Sequence, residues 1–256
     1  MVKSTSIFLL MFTLLMKSAP SFAWGFEGHK IVAEIAKSHL NKSVKDSVEK
    51  YLGDMSFEDA ATWMDDMRKD HAYDYMKPWH YVNIEKDKTF VKTNDENLIN
   101  ELEIIIKALN SHASQSKKDL NTDIKIAFHL VGDLHMPLHV GYADDKGGNA
   151  VEVDILGRHS NLHRVWDTDI LEAKKITLGD CEKLASSFSA KEIKEIQKID
   201  VVAWANQSRA YLPDVYALKD GKITEEYINK NAPIVARQIT IAGLRLAAVL
   251  NNAFSK

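Results

Sequence analysis

The sequence predicts a mainly α fold, a single multi-helix domain with a short β-hairpin near 148–156. Three observations lead to this. Apolar residues recur at steps of three and four over much of the chain, the period of a helix with one buried face. Only one segment alternates with a period of two. With 11 Gly and 5 Pro among 256 residues, no linker-like stretch divides the chain.

The elements follow in order. Lys3 precedes a short apolar run, Ile7 to Met16, interrupted only by Thr13. A run of that length is too short to cross a bilayer core of about 30 Å as a helix, so 1–23 reads as a cleaved signal peptide. Small residues at Ser21 and Ala23 place the cut before Trp24. Helical patterns cover about 28–40 and 56–69, and Leu98, Leu102, Ile105, Ile106 and Leu109 share the face of another helix. A further helix spans about 123–134. After Gly147-Gly148, the β-branched alternation through Val151, Val153 and Ile155 gives the strand, which is expected to cross over the functional site. Helices are expected again over 199–212 and 224–231, and Val235, Ile239, Ala242, Leu246 and Val249 mark a last one.

Composition narrows the function. Lys plus Arg is 33 against 36 for Asp plus Glu, a net charge of -3, so an anionic substrate must be held locally rather than by a general basic field. One cysteine, Cys181, excludes a disulfide scaffold and a Cys-ligated zinc finger. An export signal without disulfides suits a bacterial enzyme, so the expected location is secreted or periplasmic and the expected source bacterial.

The ten histidines are the unusual feature. His129 and Asp133 lie four apart in a helical pattern, on one face, and the spacing recurs at His163 and Asp167. His139 follows a Pro137 that should end the helix. Asp65 after Trp63, and His80 between Trp79 and Tyr81, add donors flanked by aromatics. His29 lies close behind the new amino terminus, whose amine is itself a nitrogen donor. His39, His71, His112, His135 and His159 are left to the surface or to supporting roles. Imidazole and carboxylate without thiolate favour zinc, and the donors outnumber what one tetrahedral ion accepts, so two or three ions are implied. Closely spaced divalent ions commonly catalyse in-line displacement at phosphorus, which makes phosphoester hydrolysis the natural chemistry.

These residues resemble the S-one/P-one family of zinc-dependent single-strand nucleases. The resemblance runs from Trp24-Gly25 and Gly28-His29 through Ala61-Thr62-Trp63 with Asp65, and Trp79-His80-Tyr81-Val82-Asn83. It continues in His129-Leu130-Val131-Gly132-Asp133, Pro137-Leu138-His139-Val140, Gly147-Gly148-Asn149, and Asn161-Leu162-His163 with Val165-Trp166-Asp167. It implies the phospholipase C/P-one nuclease fold and three Zn2+ per chain. Asp65, His80, His129 and Asp133 would hold the first ion and His139, His163 and Asp167 the second. The third would take the amine and carbonyl of Trp24 with His29 and Asp133. It also implies catalytic roles for Asp65 and for Arg68, the latter as a transition-state donor. Substrate contacts are implied at Tyr81 (base stacking), Asn83 and Asn149 (phosphate). The implied substrates are single-stranded DNA and RNA, cut to 5'-phosphates, and 3'-nucleotides. No stable protein partner and no membrane anchor after cleavage are expected, and the protein is expected to be a monomer. Two departures stand out: fungal and plant relatives carry disulfides that Cys181 alone cannot reproduce, and Met136 stands where plant members commonly have Gln. A zinc phospholipase C, related in fold, is the nearest alternative, followed by a non-catalytic zinc-binding module.

Overall fold

The computed structural model describes residues 24–255; the expected signal peptide, 1–23, and the cut expected before Trp24 lie outside the described residues. Helices α1 (Phe26–Ser38), α2 (Lys42–Leu52) and α3 (Phe57–Met67) are followed by a 3-10 segment, His71–His80. Next come α4 (Leu98–Asn110), α5 (Lys117–Leu134) and a 3-10 turn, Pro137–Val140. Strands β1 (Glu152–Ile155) and β2 (Arg158–Asn161) precede α6 (Leu162–Arg164), a π-helical turn (Val165–Asp169) and α7 (Ile170–Lys174). Helices α8 (Leu178–Ser187), α9 (Ala190–Ile196), α10 (Val201–Arg209) and α11 (Leu212–Val215), strand β3 (Lys222–Ile223) and α12 (Glu225–Phe254) complete the chain.

Local chemistry explains the boundaries. Ser56 caps α3 by accepting from Asp59 N, and Asn97 caps α4 by accepting from the amides of Ile99 and Asn100. Ser116 accepts from Asp119 N, so α5 starts at Lys117, one to two turns before the apolar periodicity becomes regular. The two helical patterns expected after 224 form one helix, α12, which runs through Pro233. Proline removes one ladder hydrogen bond, but Tyr227, Ile228 and Ala232 before it and Val235 and Ile239 after it are all buried, and that burial holds both halves in line.

The hairpin falls at 152–161 rather than 148–156. Strands β1 and β2 pair antiparallel with Glu152 opposite Asn161, and Leu156 and Gly157 form the turn at φ 51° and 85°. Strand β3 adds in parallel on the other side of β1, giving the order β2-β1-β3. Gly147 and Gly148 do not lead into a strand. They occupy a left-handed turn (φ 61° and 78°), and a Cβ on Gly147 would sit 2.3 Å from Leu138 O.

Helix α12 is the centre of the packing, lying against α1, α5, α7 and α8. By length and composition it could cross a membrane, yet 72% of its most apolar window is buried inside the fold, as in a core helix. Its closest approach is to α1 at Gly243, where a Cβ would lie 2.5 Å from Ile35 Cβ and 2.9 Å from Val32 O. Gly243→Ala is therefore expected to lower stability by about 1–3 kcal/mol through overpacking. Denaturant titration checks this, and an unchanged midpoint would mean that the crossing can relax.

Candidate metal centre

Eight buried side chains converge on one region from elements spread over most of the chain. Helix α1 contributes His29, α3 Asp65, the end of the first 3-10 segment His80, and α5 both His129 and Asp133. The 3-10 turn after α5 carries His139, α6 His163 and the π turn Asp167. They form three groups able to hold a metal ion: His29, His129 and Asp133; Asp65, His80 and His129; and His139, His163 and Asp167. Within each group the donor atoms lie within 4.8 Å of one another.

Asp133 sits between the first two groups and uses a different oxygen toward each. Its Oδ1 lies 3.2 Å from His29 Nε2, and its Oδ2 lies 3.1 Å from His80 Nδ1 and 3.3 Å from His129 Nε2. Asp65 Oδ1 stands 3.9 Å from His129 Nε2 and 4.0 Å from His80 Nδ1. In the third group, Asp167 Oδ2 is 3.2 Å from His163 Nε2 and Oδ1 is 3.8 Å from His139 Nε2.

The rings are aimed by the backbone. His129 Nδ1 donates to Ala61 O (2.7 Å), His163 Nδ1 to Gly147 O (2.6 Å), and His139 Nδ1 to His80 O. A ring that donates from Nδ1 keeps its Nε2 lone pair for an ion, as is usual for metal-bound histidine. Thus it is the Gly147 turn, rather than the strand expected after it, that reaches the site. Gly132 provides room: a Cβ there would meet the His29 ring at 2.6 Å, and the open space lets that ring stack on His129 at 4.1 Å between centroids.

These groups fit metal ions. Asp65 Oδ2 and His139 Nε2 are buried without a hydrogen-bond partner, an arrangement that is costly unless something else satisfies them. The donor set of neutral imidazoles and carboxylates suits zinc.

Charge within the cluster is strongly coupled. Burial opposes the His129 imidazolium, but the carboxylates of Asp133 and Asp65 outweigh it and raise the pKa to about 9. Burial likewise opposes the Asp133 carboxylate, and the charges of His129 and His139 overcome it and hold the pKa well below the usual range. Burial depresses His139 to about 3 and lowers His29, whereas His163 is raised because Asp167 outweighs its burial. For protein stripped of metal the signs are definite. Asp133 stabilises the fold above its unfolded pKa of about 4 and ceases to as pH falls through its lower folded value. The His129 contribution is full below about 6.5 and is lost as pH rises toward 9. His139 and His29, buried and held neutral, oppose this below about 6.5, where the unfolded chain takes up protons that they refuse. Chelated protein should therefore resist denaturant best near about pH 6.5; a midpoint that rises steadily to pH 9 would contradict this.

The residues expected to contact substrate fall on neighbouring segments. A groove of about 700 Å³ is lined by Tyr81, which follows His80 in sequence, and by Asn83 and Phe90, among others. Tyr81 is exposed, and its carbonyl accepts from Leu98 N. Arg68 caps the C-terminus of α3, partly exposed, with Nη1 3.5 Å from Asp65 Oδ1. Asn149 is exposed and its amide donates to Lys146 O within its own turn, so its side chain does not line the groove. Trp24 is fully buried beside Gly28, where a Cβ would lie 2.9 Å from Trp24 Cβ, and Gly25 N donates to Asp167 O. Sequence reasoning did not foresee the carbonyls of Ala61, His80 and Gly147 as ring supports. Only the small residues inside the motifs, Ala61, Gly132 and Gly147, hinted at close approach.

A family model described as S1/P1 Nuclease matches residues 24–255. Endonuclease 2 of Arabidopsis thaliana is 28% identical to this chain, with 98% of each covered. Nuclease S1 of Aspergillus oryzae is 27% identical over 90% of this chain and 92% of its own, and Nuclease P1 of Penicillium citrinum 25% over 89% and 97%. These relatives come from a plant and from fungi, which overturns the expectation of a bacterial source and with it that of a periplasmic location. The absence of a disulfide was a poor guide, because a core of this size holds the fold without one.

Proposed function

Because the chain belongs to the S1/P1 nuclease family, hydrolases of nucleic-acid phosphodiesters, we propose that it is an exported, zinc-dependent endonuclease of single-stranded DNA and RNA. Its products carry 5'-phosphates, and it also removes phosphate from 3'-nucleotides. The observation that carries this reading is the set of three buried His/Asp groups, two of them sharing His129 and linked by the two oxygens of Asp133.

Three zinc ions are proposed: one held by Asp65, His80, His129 and Asp133, one by His139, His163 and Asp167, and one by His29, Asp133 and the amine and carbonyl of Trp24. Bound there, the ions would supply Lewis-acid stabilisation of phosphoryl charge and a water of lowered pKa. The chain's own residues do the rest. The carbonyls of Ala61, His80 and Gly147 hold imidazoles in the neutral tautomer that presents Nε2. Arg68 provides a fixed cation for the phosphoryl oxygens. Tyr81 offers an exposed face for a base, which requires an unpaired strand; Asn83 supplies a polar contact within the same groove and Asn149 one outside it. The leader 1–23 is removed before Trp24, freeing the amine; support comes from the family match beginning at Trp24. Sequencing of the exported protein from any other first residue would refute that cut.

The test is a panel of single-stranded DNA, single-stranded RNA, duplex DNA, 3'-AMP and phosphatidylcholine, each with a chelated control. Turnover of the single strands and of 3'-AMP, abolished by chelation and restored by zinc, is expected. Turnover of phosphatidylcholine with none of DNA or RNA would favour the phospholipase reading instead, and zinc binding with no turnover would leave a binding module.

A further inference from the structure

Arg245 on α12 is 4% exposed and forms no ion pair among the described residues, an unusual state for a guanidinium. Its Nε donates to Ile196 O (3.2 Å), Nη1 to His135 Nε2 (2.7 Å) and Nη2 to Gln207 Oε1, so every partner is neutral. The His135 ring must be neutral here. A guanidinium can only donate, so Nε2 accepts, and the ring proton sits on Nδ1, which donates to Val131 O at 2.7 Å. Arg245 also lies against the Trp204 ring, 5.0 Å from its centroid.

This buried cation lines a cavity of about 300 Å³ to which the metal-centre residues contribute nothing. Two further cations line it, Arg237 and Lys198, against two acids, Glu195 and Asp200. Both acids are already engaged: Glu195 pairs with Lys198 at 2.6 Å, and Asp200 accepts from Ala203 N at 2.9 Å as the cap of α10. Three cations against two acids leave one net positive charge on the lining, and Arg237, which also lies over the Phe188 ring, and Arg245 stand two turns apart on α12, each with a planar fork of donors suited to oxyanions. Burial depresses the Arg245 pKa to about 9, a cost that a bound anion would offset.

We propose that this cavity is a binding site for a phosphate-class oxyanion, distinct from the metal centre, with Arg245 at its floor and Arg237 at its rim. An anion here would also bear on the metal centre, because Arg245 holds the ring of His135, and Gln238 of α12 donates to the His135 carbonyl (2.8 Å), in the turn between Asp133 and His139.

The test uses zinc-loaded protein and two probes, inorganic phosphate and adenosine 5'-monophosphate. The first probe is independent of the nuclease reading; the second, as a product, rests on it. Crystals soaked in selenate, as a heavy analogue of phosphate, should show an anomalous peak between Arg237 and Arg245. Calorimetry should resolve a phosphate site that Arg237→Ala weakens by about tenfold, the scale of one charge-assisted hydrogen bond. Arg237 is exposed, so this variant does not put the core at risk. Arg245→Met should abolish the site. Tighter binding of the nucleotide than of phosphate identifies the product as the ligand, and equal binding identifies free phosphate. Selenate found at the metal centre alone, with phosphate binding unchanged in Arg237→Ala, would overturn the proposal, whatever the outcome of the substrate panel.

Discussion

Asp133→Ala should leave a folded protein that has lost at least two of its metal ions and more than about 1,000-fold in hydrolysis. The carboxylate turns one oxygen toward His29 and the other toward His80 and His129, and so serves two of the three metal-capable groups; its removal opens both at once. A bound cation supplies several kcal/mol of transition-state stabilisation, and each 1.36 kcal/mol corresponds to a factor of ten. The variant also leaves His129 without its strongest charge partner, so in stripped protein its pKa should fall from about 9. Elemental analysis, turnover and a histidine titration separate the parts. Full metal content with normal turnover would show that Asp133 is not shared.

Arg68→Ala should lower kcat by roughly 100-fold or more, the loss of about 2.7–4 kcal/mol expected for a preorganised donor to a developing oxyanion. Its Nη1 lies 3.5 Å from Asp65 Oδ1, so metal content has to be measured alongside. With zinc unchanged and KM little altered, the loss belongs to the transition state. Arg68→Lys should recover only part of it, because a point charge lacks the planar fork. Normal turnover in the alanine variant would assign Arg68 to the ion pair alone.

The sequence showed the donors more clearly than their arrangement. His129 and Asp133 were legible as a pair because a step of four is fixed by helix geometry. His163 and Asp167 have the same spacing, yet they stand on a short helix that widens into a π turn, which periodicity does not reveal. That Asp65 and His80 stand beside His129 is a tertiary fact. It depends on α3 packing against α5 and was reached only by resemblance to a family. The hairpin was displaced because the Gly pair reads as a turn before a strand, while in the fold it answers a close approach to Leu138. Arg245 left no signal, since one cation in an apolar stripe reads as a solvated residue.

The metal-centre side chains are drawn from positions between His29 and Asp167, and α1 and α5 lie against α12, which ends at Phe254. A nascent chain on the ribosome therefore cannot assemble the cluster until nearly all of it has been synthesised, since contacts this distant in sequence form late. Metal loading is in this sense a final inspection: ions bind the finished fold, stabilise it by mass action, and leave an incomplete or truncated chain without that protection.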